Sequence, residues 1–312
     1  MTTMIETENL GRYFGEIKAV DGVSFSVKKG EVLGFLGPNG AGKSTTMKLL
    51  TCFLTPSFGT ARVCGFDIQT ESREVRQRLG YLPENAPLYG EMSVSGYLRF
   101  IAEIRGLDKP AIAEALERVT ALTSLSDVYD RRIETLSKGF RRRVGLAQAI
   151  LHNPEILILD EPTDGLDPNQ KHEVRELIRK MAAEKSIILS THILEEVDEV
   201  CTRVVIIAKG KVVADSTPEE LRSRSPRSGA VTLTLSAEPA HDPSEILRGL
   251  PGVKALEETR GVGGGRGYVI LPRPGSNLLP EIIRVAEAER WEMRDLRLEA
   301  GHLDEVFRTI TQ

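Results

Sequence analysis

The chain has 312 residues, of which 40% are hydrophobic and 28% charged, and its formal net charge is −4. This length favours about two domains, and the composition is that of an ordinary globular protein with a sizeable core. The slightly acidic balance gives no support for a nucleic-acid partner, which usually leaves a basic footprint. The three cysteines form no C-x-x-C pair, so we expect neither a disulfide framework nor a zinc site.

The beginning of the chain and its apolar runs bear on whether it enters a membrane. Residues 1–6 have no basic segment followed by an apolar one, so we expect no signal peptide. The longest apolar runs, such as Val204–Ala208, have the length of a strand and not the roughly 18 residues that span a bilayer. If the protein works at a membrane, we therefore expect another chain to do the crossing.

The first part of the chain predicts strands. Residues 5–35 alternate in a β-like way, with Val23, Phe25 and Val27 on one face, which favours an antiparallel hairpin region. Glu31–Leu36 follows as a short buried strand, and Ser44–Leu50 has the character of a helix.

The loop between that strand and that helix matches the phosphate-binding pattern G-x-x-x-x-G-K-[ST]. Its residues are Gly37-Pro38-Asn39-Gly40-Ala41-Gly42-Lys43-Ser44. The glycines let backbone N–H groups converge on a phosphate, Lys43 can reach the β- and γ-phosphates, and the Ser44 hydroxyl can ligate Mg²⁺. The loop predicts a nucleoside triphosphatase but leaves open a Ras-like GTPase, a kinase, a RecA-type motor or a transporter ATPase.

The middle of the chain predicts a helical insert, followed by buried strands. Ser93–Ile104 and Ala111–Leu122 carry apolar residues at helical spacing. From Asn153 onward the pattern returns to strand, helix, strand, and the runs Ile156–Leu159 and Ile187–Leu189 are apolar throughout. Such runs fit strands that helices cover on both faces.

Three polar residues follow these apolar runs. Asp160 can hold Mg²⁺ opposite Ser44, and Glu161 can polarise the water that attacks the γ-phosphate. His192, after the second run, can touch the γ-phosphate and report its presence. Because ligands bind at the carboxyl ends of strands in open α/β sheets, we expect these side chains to meet the phosphate-binding loop.

The last third of the chain predicts a separate small domain. The segment Arg222–Gly229 has no apolar residue and is interpreted as a linker. Beyond it, the order strand, helix, strand, strand, helix, strand resembles a ferredoxin-like α+β module, and a final helix is expected over His302–Ile310. The glycine-rich run Gly261–Gly267 is interpreted as a hairpin loop and not as a phosphate cradle.

Several motifs in this order resemble those of the ATP-binding subunits of ABC transporters, over residues 4 to about 220. Leu136–Phe140 resembles the family signature, Glu161–Asp167 the end of the Walker B motif plus the D-loop, and Tyr81–Asn85 the Q-loop, while His192 occupies the switch-histidine position. Phe14 matches the aromatic residue that stacks on adenine, with Tyr13 as the reserve. The segments Gly80–Glu84, Leu136–Ala149 and Leu303–Phe307 resemble those of ABC-2-type exporters, and most of all the gliding-motility ATP-binding subunit.

The sequence departs from the family pattern at three positions. Glu84 stands where most members have Gln, Lys138 replaces a signature glycine, and Phe140 replaces the signature Gln. Lys138 either adds a cation near the γ-phosphate or faces solvent, and Phe140 cannot form a side-chain hydrogen bond. The three arginines Arg141–Arg143 are expected on a solvated helix face.

The resemblance implies an α/β P-loop NTPase cassette with a RecA-like core, an antiparallel β subdomain and a helical subdomain at about 88–145. The cassette is predicted over residues 1–221, the linker over 222–229 and a C-terminal α+β accessory domain over 230–312. The implied catalytic residues are Glu161, His192 and Glu84, and the implied Mg²⁺ ligands are Ser44, Asp160 and Glu84. The implied nucleotide-binding residues are Phe14, Gly37, Pro38, Asn39, Gly40, Ala41, Gly42, Lys43, Ser44, Thr45, Ser137, Gly139 and Asp167.

The resemblance also implies an activity and partners. The chain would bind and hydrolyse ATP with Mg²⁺, pair with a second copy of itself or a paralogous subunit around two nucleotides, and drive an integral membrane permease, as an exporter. It would then lie at the cytoplasmic face of the cell membrane, without nucleic acid. The alternative is a soluble ABC ATPase that acts on a nucleoprotein or ribosomal partner. No Asn-Lys-x-Asp guanine motif supports a GTPase.

Overall fold

The computed structural model describes residues 2–236, 242–260 and 265–311. The chain divides into two compact units, one ending at Thr217 and one running from Pro218 to Ile310. The sequence placed the boundary four residues later, before a linker at 222–229. That segment begins inside the helix Pro218–Ser223, where Leu221 is buried, and Arg227 pairs with Glu257 and Glu305 of the second unit.

The first unit contains ten strands and seven helices among its described residues. The strands are β1 (Thr3–Phe14), β2 (Ile17–Lys28), β3 (Val32–Leu36), β4 (Phe58–Val63), β5 (Phe66–Asp67), β6 (Leu79–Leu82), β7 (Ile156–Asp160), β8 (Ser186–Thr191), β9 (Arg203–Ala208) and β10 (Lys211–Ser216). The helices are α1 (Lys43–Leu50), α2 (Ser72–Arg78), α3 (Val94–Ile104), α4 (Lys109–Leu122), α5 (Lys138–Ile150), α6 (Pro168–Ala182) and α7 (Leu194–Val200), with 3₁₀ turns at Ser126–Val128 and Ile133–Thr135.

Two sheets organise this unit. One is antiparallel, in the order β2-β1-β4-β5, and the other has the order β10-β9-β3-β8-β7-β6. In the second sheet β9, β3, β8, β7 and β6 run parallel, and only β10 is antiparallel to its neighbour. The strand β7 explains the apolar runs of the sequence, because Leu157 and Leu159 face one core cluster while Ile156 and Ile158 face another. Both faces of the sheet are therefore covered.

The predicted helical insert is present as α3, α4 and the first part of α5. Each of these helices begins at a side-chain cap, since Ser93, Asp108 and Ser137 accept the backbone N–H three residues further on. The helix α5 continues to Ile150 and packs against β6. It comes so close that a Cβ on Gly80 would lie 2.1 Å from the Ala149 carbonyl oxygen.

After Thr217 the elements are α8 (Pro218–Ser223), β11 (Val231–Leu235), α9 (Pro243–Arg248), β12 (Val253–Arg260), β13 (Arg266–Pro272), α10 (Leu279–Ala288), β14 (Met293–Leu298) and α11 (Leu303–Thr311). The antiparallel sheet β12-β13-β11-β14 follows the strand and helix order that the sequence predicts. Its core includes Leu233, Tyr268, Ile282 and Trp291. The predicted hairpin loop at Gly261–Gly267 falls largely on residues 261–264, which lie outside the described residues.

Across the three described ranges, no helix has both the length and the apolar character needed to cross a membrane.

Candidate functional site

The loop between β3 and α1 has the backbone shape of a phosphate cradle. Gly40 and Gly42 have φ of 78° and 108°, a region that residues with a Cβ rarely adopt. A Cβ on Gly42 would lie 2.3 Å from the Ala19 carbonyl oxygen, and one on Gly37 would lie 2.4 Å from that of Ile207. The neighbouring backbone leaves no room there for any residue larger than glycine.

Lys43 begins α1 and is almost fully buried. Its Nζ donates to the Gly37 carbonyl oxygen at 2.7 Å and lies 3.9 Å from Oε1 of Glu161. Burial lowers the pKa of its amine, against the opposing effect of the Glu161, Asp160 and Glu84 carboxylates. The amine is therefore held over the loop with few polar partners, which favours contact with an anion.

The carboxyl end of β7 carries Asp160 and Glu161, which differ in their surroundings. Asp160 is 1% exposed, and its Oδ1 has no hydrogen-bond partner among the described residues. Glu161 adopts φ of 50°, an uncommon conformation for a residue with a side chain, and its N–H donates to the Ser190 carbonyl oxygen of β8 at 2.9 Å. Strained backbone of this kind is typical of functional sites.

His192 follows β8 and contacts the carboxylate of Glu161. Its Nδ1 lies 2.9 Å from Oε2 and 3.0 Å from Oε1. The Glu161 carboxylate is buried, whereas half of the His192 side chain is exposed. The pair thus connects a buried acid with the solvent side of the site.

Lys43, Glu161 and His192, but not Asp160, line one cavity of about 470 Å³. Its lining consists of Ala19, Pro38, Asn39, Gly40, Gly42, Lys43, Ser44, Thr45, Glu84, Glu161, Asp164 and His192. Gly37 and Ala41 complete the loop from behind: the Gly37 carbonyl oxygen receives Lys43, and the buried Ala41 accepts from the Gly210 N–H at 3.0 Å. The structure thereby brings the predicted loop together with Glu84, Glu161 and His192.

A second cavity of about 530 Å³ adjoins the loop and tests the predicted magnesium ligands. Ser44, Glu84 and Asp160 all contribute to its lining. A hydroxyl, an exposed carboxylate and an unpartnered buried carboxylate oxygen are hard oxygen ligands that suit Mg²⁺. Within the described ranges no group of three or more His, Cys, Asp or Glu side chains is placed to hold a metal.

Five other predicted residues, including Tyr13 as the reserve for Phe14, are not part of the 470 Å³ lining. Phe14 ends β1, is 42% exposed and lies under the guanidinium of Arg12 at 4.8 Å. Ser137 caps α5, and a Cβ on the following Gly139 would lie 2.2 Å from Oε1 of Gln170. Asp167 caps α6, accepting from the N–H of Gln170 at 3.0 Å. Tyr13, the reserve for Phe14, donates its hydroxyl to Oδ1 of Asp21 at 2.6 Å.

The positions that depart from the family pattern have defined contacts. Nζ of Lys138 lies 3.0 Å from Oδ2 of Asp164, and both side chains are more than half exposed. Phe140 packs against the core cluster of the helical region, with the Arg143 guanidinium 5.5 Å from its ring centre. Lys138 thus pairs with an acidic residue of its own chain, at the edge of the 470 Å³ cavity.

The expectation that Arg141–Arg143 lie on a solvated helix face is wrong for Arg142, and the Arg143 side chain is only 14% exposed, so Arg141 alone is exposed. Arg142 is 8% exposed and bonds to backbone carbonyl groups of the Glu84 and Glu161 segments. The physical reason lies in the helix spacing, since Arg142 stands three residues after the buried Gly139 and three before the buried Gly145. Its spacing of three residues from Gly139 and Gly145 could have placed Arg142 on the buried face, but the run of three basic residues favoured a solvated face.

A second residue that the sequence analysis did not single out is Glu196 of α7. It is 2% exposed, and the Thr163 hydroxyl donates to its Oε1. Burial raises the pKa of its carboxyl to about 7. The local sequence gives no sign that Glu196 is buried, since the neighbouring Glu195 is the same residue type and is exposed.

Comparison with known proteins places this geometry in a family. The family model described as ABC transporter matches residues 20–164 of this chain. The chain is 39% identical over 224 residues to the probable multidrug ABC transporter ATP-binding protein YbhF of Escherichia coli (strain K12). The aligned region is 72% of this chain and 39% of that protein. The chain thus spans well under half the length of that relative.

Another relative aligns over nearly the whole chain, and a solved structure matches about seven tenths of it. The daunorubicin/doxorubicin resistance ATP-binding protein DrrA of Streptomyces peucetius is 35% identical over 315 residues, covering 99% of this chain and 93% of that protein. The structure of cbiO1 from Clostridium perfringens, described as part of the ABC transporter complex cbiONQ, matches with a TM-score of 0.65. Its sequence identity is 28%, over 72% of this chain and 92% of that chain.

Proposed function

This chain belongs to the ABC transporter family of ATP-binding proteins, and from that premise we propose that it binds ATP over the Gly37–Ser44 loop and hydrolyses it. The proposal rests on one observation: Lys43, Glu161 and His192 line the same cavity as the residues of that loop. A loop that only turned the chain would not require a buried lysine and a strained glutamate to face it.

The residues divide the chemistry between them. The loop N–H groups and Lys43 bind the phosphates, because they supply positive charge where the backbone can approach closely. The Glu161 carboxylate accepts a hydrogen bond, and then a proton, from the attacking water. His192 orients that carboxylate through Nδ1 and faces the terminal phosphate with the remainder of its ring.

Ser44, Asp160 and Glu84 are the residues that would hold Mg²⁺, which when bound neutralises charge on the phosphate oxygens. The unpartnered Oδ1 of Asp160 supports this assignment, because a buried carboxylate oxygen without a donor favours a cation beside it. Glu84 is exposed at the mouth of both cavities, so its carboxylate is free to move between ligand and solvent.

We further propose that the working unit is a dimer, of two copies or of this chain and a paralogue. Ser137, Gly139 and Asp167 are absent from the lining of the chain's own cavity, and they stand at the starts of α5 and α6. The first turn of a helix carries N–H groups besides the one that its cap satisfies, and these suit an anion, so Ser137 and Gly139 would complete the partner's site. The Asp167 carboxylate would contact the partner subunit beside it. The exposed Phe14 would stack on the adenine ring.

The partner that uses the energy is proposed to be an integral membrane permease, and the transport direction is proposed to be export. Support comes from relatives named as multidrug and drug-resistance ATP-binding proteins, and from a structural neighbour described as part of a transporter complex. The chain would then be peripheral at the cytoplasmic face of the membrane. The finer assignment to the gliding-motility group of ABC-2 exporters rests on the resemblance of its motifs alone.

Two substitutions test the site. Lys43→Ala should reduce ATP affinity at least about tenfold, because it removes the buried amine that faces the phosphates.

Glu161→Gln should leave affinity within about threefold while slowing turnover about 10²- to 10⁴-fold, and ATP-bound dimers should accumulate. Equilibrium binding, phosphate release and sedimentation measure these effects.

The exposed Glu195→Gln serves as the matched control and should behave like the unmodified chain. Unchanged binding by Lys43→Ala would contradict the loop assignment. Turnover near that of the unmodified chain in Glu161→Gln would remove Glu161 from catalysis.

A further inference from the structure

Each N–H group of the Arg142 guanidinium in α5 donates a hydrogen bond to a backbone carbonyl oxygen. A guanidinium group carries five N–H bonds, and five acceptors lie around this one. All are main-chain carbonyl oxygens: Pro162 at 3.2 Å from Nε, Pro83 and Glu84 at 2.7 Å from Nη1, and Asp160 and Glu161 at 2.5 Å from Nη2. No other interaction in the site joins so many segments at one side chain among the residues described here.

Four of the acceptors belong to two loops that are far apart in sequence and close in space, and the fifth, Asp160, is the last residue of β7. One follows β6 and carries Glu84, and the other follows β7 and carries Glu161. Arg142 itself stands on the helix that begins at Ser137. A single buried side chain therefore sets the distances between the water-activating acid, the exposed acid and the signature helix.

The choice of acceptor matters for function. Because Arg142 bonds carbonyl oxygens and not carboxylates, it fixes the backbone at Glu84 and Glu161 without occupying either carboxylate. Its positive charge also lies close to the Asp160 and Glu161 carboxylates. The strained φ of Glu161 needs such support, because uncommon backbone conformations persist only where neighbours over-determine them.

We propose that Arg142 is a positioning residue for ATP hydrolysis, which aligns Glu161 and Glu84 with the signature helix and thereby sets turnover and not ATP affinity. The inference rests on the proposed ATPase function. The geometry requires arginine: lysine offers three donors from one point and cannot serve five carbonyl groups in two chain segments.

An arginine that only stabilises the fold would also be buried and hydrogen-bonded. The test therefore needs a control arginine that bonds the same helix but not the two loops. Arg118 of α4 is suitable, since its Nη2 donates to the Leu151 carbonyl oxygen at 2.8 Å, at the opposite end of α5. It braces the same helix but contacts neither of the two loops.

The experiment compares Arg142→Gln, Arg142→Lys and Arg118→Gln in the full chain. For each we would measure thermal stability, the KM for ATP, kcat, and amide hydrogen exchange over residues 80–88 and 158–166. We expect Arg142→Gln to lower kcat at least about tenfold with KM within about threefold, and to speed exchange in those two segments. Arg142→Lys should fall between Arg142→Gln and the unmodified chain, whereas Arg118→Gln should change stability alone.

Each outcome decides the question. A kcat loss in Arg142→Gln no larger than in Arg118→Gln, or a rise in KM at unchanged kcat, overturns the proposal. If Arg142→Gln does not fold, Arg142→Lys decides, and turnover equal to that of the unmodified chain overturns it. If the unmodified chain itself hydrolyses no ATP, the proposed function fails, and the exchange data then decide: unaltered exchange at 80–88 and 158–166 refutes the positioning role.

Discussion

The adjacent acidic residues at the end of β7 lie in different environments. Asp160 belongs to the strand, is fully buried and keeps one oxygen without a partner, whereas Glu161 turns out of the strand at positive φ to meet His192 and Lys43. Their spacing at a strand end, next to a phosphate-binding loop, made this site predictable from sequence. Glu196 was not predictable, because its burial depends on Thr163, 33 residues away.

Glu196 gives a pH-dependent prediction at this scale. Burial raises the pKa of its carboxyl from 4.5 to about 7, with Glu161 adding repulsion and Arg175 and Lys171 opposing it. Between these two values the folded protein holds a proton that the unfolded chain has lost, so stability falls as pH rises through the window and levels off above about 7.

Glu196→Gln removes this titration, and its stability should exceed that of the unmodified chain at pH 8 by up to about 3 kcal/mol. Urea unfolding of the nucleotide-free protein at pH 5, 6, 7 and 8 measures the difference, with the exposed Glu195→Gln as control. Parallel pH profiles for Glu196→Gln and the unmodified chain would show that Glu196 is not the titrating group.

The packing of α5 against β6 governs the site at the scale of elements. The helix carries Ser137 and Arg142 and approaches the strand where Gly80 has no side chain. Periodicity predicted helices over Ser93–Ile104 and Ala111–Leu122 and buried strands from Ile156 onward, but neither α5 nor β6. It did not predict that α5 extends to Ile150 across the sheet, because the contact depends on backbone shape at one glycine.

Gly80→Ala should therefore destabilise the first unit by about 2 kcal/mol or more, because the new Cβ would meet backbone at 2.1 Å and the Leu157 side chain at 2.8 Å. Denaturant unfolding measures the loss. The matched control is Gly249→Ala, where the nearest atom lies 3.4 Å away and φ is −74°, and a change within about 0.5 kcal/mol is expected. Equal stability changes in the two variants would contradict the close contact of α5 and β6.

At the scale of the whole molecule, the chain consists of two compact units, each with its own apolar core. The residues that line the candidate nucleotide cavity all precede Thr217. Proteins with several such units commonly unfold in more than one step. A ligand that binds one unit should stabilise that unit alone.

Calorimetry should show two transitions, and a non-hydrolysable ATP analogue at about 100 times its Kd should stabilise only the first unit, by about 2.7 kcal/mol. Lys43→Ala should cut this stabilisation to about 1.4 kcal/mol or less, because a tenfold loss of affinity leaves the same analogue concentration at about ten times its Kd. A single transition that moves as a whole with the analogue would contradict the independence of the two units.

The sequence by itself determined the phosphate-binding loop, the acids at the end of β7, the histidine after β8 and the strand and helix order of the second unit from β11 onward. These depend on residue type and on spacing along a short stretch of chain. The tertiary structure alone decided that Arg142 is buried, that Lys138 pairs with Asp164, and that helix α8 and its ion-paired flank occupy the expected linker. The fate of a charged side chain depends on which carbonyl and carboxylate groups distant segments bring to it, and no local pattern contains that information.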